Sequence, residues 1–218
     1  MLFLDKIIRS YQATKSALKD FHSILFEQVH KKEYVPCARS IGLYKKKKIF
    51  FPHEACTDMF TDYLIYSWPE KGKSIVDTFS TENADHLSLL SGMRRNVFSV
   101  FGVEGIGNHR LKCTDLLREG LVEEVIDVGL SRSASSGFVF ISRLLKYDDF
   151  CCFSGAGFPA FSDILLEDIL YDGASFLDKR NIESPADLGP KDERMLEAMI
   201  IKQCVYHRAY ENFSTEDV

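Results

Sequence analysis

His53 and Cys56 stand three positions apart at the start of a predicted helix, a spacing that would place two metal ligands on one face. A zinc site needs a second pair at ligand spacing, and none follows. Cys151 and Cys152 are adjacent in a predicted strand, so their side chains point to opposite sides and lack the Cys-x-x-Cys geometry of a redox pair. We therefore expect no metal and no cofactor, and we expect all six cysteines to be reduced and mostly buried.

Glycine-rich and serine-rich stretches near the predicted strands are further candidates for chemistry. A phosphate loop needs a strand, its glycines and then a helix N-terminus, whereas strand-like sequence follows Gly102, Gly105 and Gly107. These glycines therefore predict a hairpin turn. The serines between residues 131 and 136 have no Gly-x-Ser-x-Gly elbow around them. We name no catalytic residue and expect a non-catalytic protein, with an enzyme of unknown class as an alternative.

Charged side chains form two more candidate sites. Glu54, Asp58 and Asp62 recur at steps of four on one helical face, where they could line a carboxylate site. A solvated helix surface has the same pattern and is what we expect there. Four adjacent lysines at 45–48 precede Phe50 and could contact phosphates beside an aromatic anchor. The expected structure of such a run is a solvated loop.

Helices are predicted on both sides of the middle of the chain. Apolar residues recur at steps of three, four or seven from Leu4 to His30, which predicts one long amphipathic helix. A second helix is predicted from Pro52 to Trp68, and shorter ones follow it. The later predictions are a helix through Phe161 to Ile169, a polar loop from Asp172 to Gly189 and a last helix that ends near Tyr210.

The middle of the chain is rich in β-branched and aromatic residues with turn chemistry between them. The strand-like stretches are, in order, NVFSVFGV, HRLKCT, LVEEVIDV, GFVFISRLL and DDFCCFS. Their spacing predicts an antiparallel meander. The predicted fold class is α+β, with a helical region at 1–94 and, at 95–218, a five-stranded antiparallel sheet that curls into a small barrel or half-barrel with the C-terminal helices packed on it. The two parts could also form one continuous domain.

The order of apolar positions and turns in this region resembles a known family. Phe60 to Tyr66 precede a glycine-containing break at Lys71 to Lys73, and VFSVFGVEG, LKCTDLLREG and VGLSRSASSGFVFISRLL follow. From Ala55 to Pro159 this order resembles the body of poorly characterised bacterial proteins that often carry the zinc-binding tail known from the SecA C-terminus. The cysteine cluster of that tail is absent, since Cys151 and Cys152 lie inside a predicted strand. The resemblance therefore implies neither zinc nor the binding role of the tail.

Composition and charge limit the class of protein. The chain has 218 residues, of which 45% are hydrophobic, so it is long enough to bury a core without disulfides. Its net charge of -5 is unlike that of a protein that coats nucleic acid. The apolar run at its start is too short for a leader or a span, so we expect a cytoplasmic protein with no membrane span. We expect an unknown protein partner, and an oligomer could form through the N-terminal or the C-terminal helix.

Two function classes remain beside the enzyme. The first, which we expect, is a protein-interaction or scaffold protein in which an exposed groove or strand edge receives a partner segment. The second is a nucleic-acid-associated barrel module, because five-stranded barrels often bind single strands through aromatic and basic side chains. The candidate binding residues are Lys45, Lys46, Lys47, Lys48, Phe98, Arg110 and Arg143, with Phe138, Phe140 and Lys146 as further members of the nucleic-acid surface.

Overall fold

A computed structural model describes residues 2–69, 72–118 and 122–212 of the chain. Within them the chain forms eight α-helices, a two-stranded hairpin and a five-stranded sheet. The helices are α1 (Leu2–Glu27), α2 (Tyr34–Ser40), α3 (Glu54–Tyr66), α4 (Ile75–Thr78), α5 (Ala84–Arg94), α6 (Leu130–Ser133), α7 (Asp163–Asp178) and α8 (Pro190–Tyr206). The strands are β1 (Tyr44–Lys45), β2 (Lys48–Ile49), β3 (Asn96–Gly107), β4 (Arg110–Asp115), β5 (Val122–Ile126), β6 (Val139–Lys146) and β7 (Cys151–Pro159).

The predicted long N-terminal helix is confirmed as α1. It buries one stripe that includes Leu18, Phe21 and Leu25, as its apolar spacing requires. The predicted second helix is confirmed as α3, which begins where the His53 ring accepts a hydrogen bond from the Ala55 amide. Nine of the 13 residues of α3 are buried because the helix packs against α1, α8 and β7. α3 is therefore the helix around which the others are arranged.

The four-lysine run forms a hairpin where a loop was predicted. Lys45 pairs with Lys48 across β1 and β2, while Lys46 and Lys47 form the turn with φ of 51° and 62°. Positive φ at both central residues is typical of the type I′ turn, whose twist matches that of the flanking strands. All four side chains are exposed, as expected. Lysine does not usually signal this turn, so the local sequence does not predict the hairpin.

The five-stranded sheet is mixed, so the prediction of an antiparallel sheet is wrong. Its strands pair in the order β3-β4-β5-β7-β6, and β6 pairs with β3, which closes the pairing into a ring. Every neighbouring pair is antiparallel except β5 and β7, which run parallel and meet at Val125 and Cys151. A closed ring of five strands cannot alternate in direction throughout, because five is an odd number. One parallel pair is therefore the minimum that the ring requires.

All five strands contribute to one compact cluster of buried side chains. The cluster consists of Phe101, Val103, Leu111, Cys113, Val125, Phe140, Leu144 and Phe153. Members from the same strand are two or four positions apart, so they face the same side of the sheet. The rings of Phe140 and Phe153 meet edge to face with 4.9 Å between centroids. The inner side of the ring is filled with side chains, and the larger apolar core lies between the outer side and the helices.

Two local predictions near the sheet differ in outcome. The hairpin after the glycine-rich stretch is confirmed, because β3 and β4 pair up to Gly107 and Arg110. The positive φ at its turn is carried by His109, not by a glycine. The polar loop predicted from Asp172 to Gly189 is wrong over its first seven residues, because α7 continues to Asp178. Phe176 and Leu177 continue the helical spacing of apolar residues beyond Gly173, so this glycine does not end the helix.

Three predictions fall partly outside the described residues. They concern Lys71 in the glycine-containing break, the turn residues at 119–120, and residue 121 at the start of the third predicted strand. The last helix is confirmed as α8, with Pro190 in its first turn. Among the described residues, no helix is both long and apolar enough to cross a membrane.

Candidate functional site

A groove between α1 and α3, with β7 as its floor, forms an open cavity among the described residues. Its volume is about 560 Å³, within the range typical of binding sites for small ligands. We call it the α1–α3 groove. It is lined by Lys15, Leu18, Lys19, His22, Ser23, Phe26 and Glu27 of α1, by Asp58, Thr61, Asp62 and Ile65 of α3, and by Ser154, Gly155 and Ala156 of β7.

The floor of the groove is a bulge in β7. Phe153 pairs with Leu144 and Gly157 pairs with Ser142, so three residues of β7, 154–156, stand opposite Arg143 alone. Bulges bend a strand and are common beside functional sites. Gly155 has φ of +112°, a conformation that favours glycine, and a Cβ at this position would lie 3.6 Å from Lys15 Nζ. The bulge brings β7 backbone into the groove.

Side chains from three elements stabilise this bulge. Lys15 Nζ donates to the Phe153 carbonyl oxygen at 2.9 Å, which ties α1 to the floor. Ser142 Oγ donates to the Ala156 carbonyl oxygen at 2.7 Å, and Ser154 Oγ donates to Asp62 Oδ2 at 2.7 Å. Backbone groups that a bulge takes out of the ladder need such partners when they are buried. The floor is therefore fixed by α1, α3 and β6 together.

Arg143, which stands opposite the bulge on β6, is buried. The five N–H groups of Arg143 match five acceptor contacts, on Asp62 Oδ1, Asn96 Oδ1, Ser67 Oγ and both carboxylate oxygens of Glu197. The Nε to Asp62 distance is 2.8 Å, and the Nη2 to Glu197 distance is 3.0 Å. Ser67 Oγ also donates to Glu197. We call these residues, with Ser154, the Arg143 network.

The Arg143 network joins elements that are far apart in sequence. Arg143 is on β6, Asp62 on α3, Asn96 on β3 and Glu197 on α8. Burial lowers the pKa of the Arg143 guanidinium, but the negative charges of Asp62 and Glu197 raise it by more, so the pKa is raised overall and the group is charged. Two carboxylates thus face one guanidinium, and the serine hydroxyls supply the remaining donors.

Aromatic rings enclose the guanidinium from two sides. The centre of the Tyr66 ring lies 4.8 Å from the Arg143 guanidinium carbon, and that of the Phe98 ring lies 5.2 Å from it. Both distances are within the range of cation–π contact. Phe98 and Arg143 are 2% and 1% exposed. This placement corrects their predicted part in an exposed nucleic-acid surface, because both side chains are in the core.

His22 forms the wall of the groove above Tyr66. Its Nε2 lies 2.9 Å from the Tyr66 hydroxyl oxygen. Burial lowers the pKa of His22, and Lys15 and Arg143 lower it further against the opposing effect of Asp62, so the imidazole is neutral at pH 7. Burial raises the pKa of Tyr66 well above its usual range, so its hydroxyl stays protonated and can donate to the neutral ring. The pair is therefore polar but uncharged.

The other predicted binding residues do not meet in one site. Lys45, Lys46, Lys47 and Lys48 surround the tip of the β1–β2 hairpin. Arg110 is half-buried and pairs with Glu124 at 3.0 Å on the β4–β5 pair, and Lys146 pairs with Glu123. Phe138 is half-buried and stacks on Phe140, which belongs to the sheet interior.

The predicted chemical motifs have structural roles. Burial raises the pKa of Cys56 to about 11, which keeps the thiol protonated beside the His53 cap. Cys152 is buried and Cys151 half-buried, as their opposite directions predicted. Among the residues that the structure describes, no group of three or more His, Cys, Asp or Glu side chains could hold a metal ion.

The carboxylates of α3 differ from each other in their surroundings. Asp58 is exposed, as expected, while Asp62 is only 5% exposed, so the prediction of a solvated surface is wrong at this position. The reason is that Asp62 faces Arg143 and Ser154 between α3 and β7. Partial burial and the charge of Glu54 raise the pKa of Asp58. Only Asp62 reaches from the groove into the core.

One family model matches the chain, over residues 5–187, and it describes a family of unknown function. No curated protein and no solved structure matches the chain significantly. The matched range contains all the residues that line the α1–α3 groove but ends before α8, which supplies Glu197 to the Arg143 network. The match does not bear on the resemblance to proteins with a SecA-type zinc tail, which stays a prediction. Because the match covers most of its length, the chain belongs to the family of unknown function DUF7986.

Proposed function

We propose that this protein is a non-catalytic interaction protein whose α1–α3 groove receives an extended segment of a partner polypeptide. The length of the groove is the observation that carries the proposal. Its α1 wall runs from Lys15 to Glu27, which spans about 18 Å at the helical rise per residue. An extended chain covers that distance with about five or six residues.

The chemistry of the lining is compatible with such a segment. Leu18, Phe26 and Ile65 offer apolar surface, while Ser23 and Thr61 offer hydroxyl groups beside them. The bulged backbone of β7 forms the floor between the two helices. Extended segments are usually held by main-chain hydrogen bonds, with shallow pockets for alternate side chains. A groove with a backbone floor and mixed walls suits that mode of recognition.

The polar groups of the groove favour binding over catalysis. Asp62 accepts from Arg143 and Ser154, and the imidazole of His22 is hydrogen-bonded to Tyr66. A general base needs a proton to abstract within hydrogen-bond reach, and a nucleophile needs a base beside it. Here these side chains hold one another in place. Their arrangement supports a rigid binding surface.

Blocking the groove is expected to abolish peptide binding. Ser23 is exposed and lines the groove, so a Ser23→Trp side chain fills part of it. The probe is a library of random hexapeptides, acetylated and amidated so that their ends carry no charge. Immobilised wild-type protein should retain a subset of the library, and the Ser23→Trp variant should retain that subset at least tenfold less.

The matched control for this substitution is Ser10→Trp. Ser10 is also exposed on α1, but it lies on the opposite face of the helix, 13 residues from Ser23. The Ser10→Trp variant should retain the same peptides as the wild type. Equal retention by wild type and the Ser23→Trp variant, or no retention by the wild type, would exclude the proposed function.

A nucleic-acid-binding module is a second candidate because of the exposed β1–β2 hairpin. Its four lysines stand beside Phe50, which is 53% exposed, and this pairing of basic and aromatic side chains is typical of single-strand binding. Four phosphate contacts predict that affinity for oligouridylate falls about 50-fold between about 50 mM and 200 mM salt.

A double substitution isolates the hairpin in this test. Lys46→Asn with Lys47→Gly removes two charges and installs the sequence that a type I′ turn prefers, so the hairpin is retained. The salt dependence should then be about half as steep. Filter binding measures both slopes. Absence of binding by the wild type at low salt would end this candidate.

A further inference from the structure

We infer that the segment held in the α1–α3 groove carries an acidic side chain at one end and a basic side chain at the other, with four residues between them. This inference rests on the proposed function. The groove itself is bipolar: Lys15 and Lys19 stand at one end of its α1 wall, and Glu27 stands at the other end with Asp58. A bound segment of opposite polarity would pair with both ends.

The relative direction of α1 and α3 places Asp58 at the Glu27 end. His22, in the middle of the α1 wall, contacts Tyr66, which is the last residue of α3. Further along α1, the Phe26 ring packs against Tyr34, and Tyr34 packs against Phe60 in the middle of α3. The two helices therefore run in opposite directions along the groove.

The basic end is held in a fixed position. The amine of Lys15 donates to the Phe153 carbonyl oxygen at 2.9 Å, so its charge stays at the groove floor. Lys19 follows one turn later on the same face and is exposed. Two ammonium groups one turn apart form a site for a carboxylate, and the neutral His22 adds no charge of its own.

The acidic end has an excess of negative charge. Glu54 lies one turn before Asp58 on α3, and Glu27 approaches from α1. Partial burial and the Glu54 charge both raise the pKa of Asp58, and a nearby cation would lower that pKa by stabilising the ionised carboxylate. An ammonium or guanidinium group of the segment supplies that cation.

The spacing follows from the length of the groove. The basic and acidic ends are separated by eight to twelve positions of α1, or about 12–18 Å. In an extended chain the first and sixth residues are about 16 Å apart, which lies inside this range. The pairs at the two ends would therefore be made by side chains five positions apart, which point to opposite faces of the segment, the first toward the lysines of α1 and the sixth toward Asp58 of α3.

Four end-charged peptide libraries test this inference. Each is an acetylated and amidated hexapeptide with four randomised middle residues, and the ends are Glu and Lys in either order, Glu and Glu, Lys and Lys, or Ala and Ala. Wild-type protein should retain the library with opposite end charges about tenfold more than the libraries with like end charges, because each like-charged peptide exchanges one attraction for a repulsion.

Charge reversal in the groove should remove part of this preference. The Lys19→Glu variant weakens the basic end and should lose most of its preference over the Lys and Lys library. The Asp58→Lys variant should likewise lose its preference over the Glu and Glu library. Both positions are exposed, so the variants should fold. The controls are Lys6→Glu on α1 and Asp178→Lys on α7, two exposed charges outside the groove, which should leave the preference unchanged.

The outcomes separate this inference from the proposed function. Retention that Ser23→Trp abolishes, but that is equal for all end charges, overturns the bipolar segment and leaves a peptide groove. Preferences that are the same in the charge-reversal variants and in their controls also overturn it. If Ser23→Trp reduces the retention of no library, the bipolar segment and the proposed function are both overturned.

Discussion

Replacing Arg143 with methionine is expected to lower the free energy of unfolding by about 3–5 kcal/mol. The substitution keeps a long side chain in the core but removes the only cation of the Arg143 network. Asp62 and Glu197, 5% exposed each, would then be buried without a partner of opposite charge. Removing one partner of a buried ion pair costs more than the pair contributes, because the remaining charge stays desolvated.

A triple variant tests the cause of this loss. Arg143→Met combined with Asp62→Asn and Glu197→Gln removes the stranded charges while keeping acceptors for the Ser67 and Ser154 hydroxyls. We expect the triple variant to regain at least half of the stability that Arg143→Met loses, since burial of neutral amides is less costly than burial of charge. Urea unfolding monitored by fluorescence measures all three proteins.

Two results would contradict this account of the network. A loss below about 1 kcal/mol for Arg143→Met would mean that the pairs behave like exposed ones. A triple variant less stable than Arg143→Met alone would mean that packing, and not stranded charge, dominates.

Asp115→Ala is expected to lower the free energy of unfolding by a similar amount, about 3–5 kcal/mol. Asp115 is 1% exposed at the end of β4 and accepts a hydrogen bond from the Ser99 hydroxyl. It also accepts from the amides of Leu117 and Arg118 at 3.0 and 3.1 Å, which shapes the turn that follows the strand. Alanine would leave all these donors without their acceptor.

Asp115 also positions the Arg118 side chain, which contacts α8. Arg118 Nη1 lies 3.3 Å from Asp115 Oδ2, and Arg118 Nη2 lies 3.0 Å from Glu193 Oε1 on α8. Burial and the charge of Glu197 raise the pKa of Glu193, while Arg118 lowers it. Asp115→Ala would therefore loosen the position of Arg118 and weaken the contact of α8 with the sheet.

Two further substitutions make the Asp115 experiment specific. Asp115→Asn keeps an oxygen that can accept from the two amides, so its loss should be clearly smaller than that of Asp115→Ala. Glu124→Ala removes an exposed partner of Arg110, with a side chain 65% exposed, and should change stability by about 0–1 kcal/mol. If Asp115→Ala were no more destabilising than Glu124→Ala, the buried hydrogen bonds of Asp115 would contribute nothing.

The elements of this fold are largely predictable from the sequence because their signals are local. The apolar stripe of α1 and the β-branched composition of the strands need only neighbouring residues to be recognised. The parallel contact of β5 with β7 is different, since it joins Val125 to Cys151 across an intervening strand. Local pattern carries no information about which non-consecutive strands meet.

The groove and its network could not be predicted for the same reason. Arg143 and Asp62 are 81 positions apart, and the local pattern around neither residue identifies the other as its partner. One signal was available: Arg143 stands inside the apolar run Phe140 to Leu145, and a charge in a strand buried on both faces needs a buried partner. The identity of that partner follows only from the packing of α3 on β7.

The most direct test of the groove is to map where a bound peptide lies. Isotope-labelled protein is titrated with the hexapeptide most enriched from the random library, and the amide chemical shifts are followed by NMR. We predict the largest changes at Lys19, His22 and Gly155, on the α1 wall and the β7 floor. Unchanged shifts at these three residues, with changes centred on the hairpin lysines Lys46 and Lys47 or elsewhere, would contradict the account.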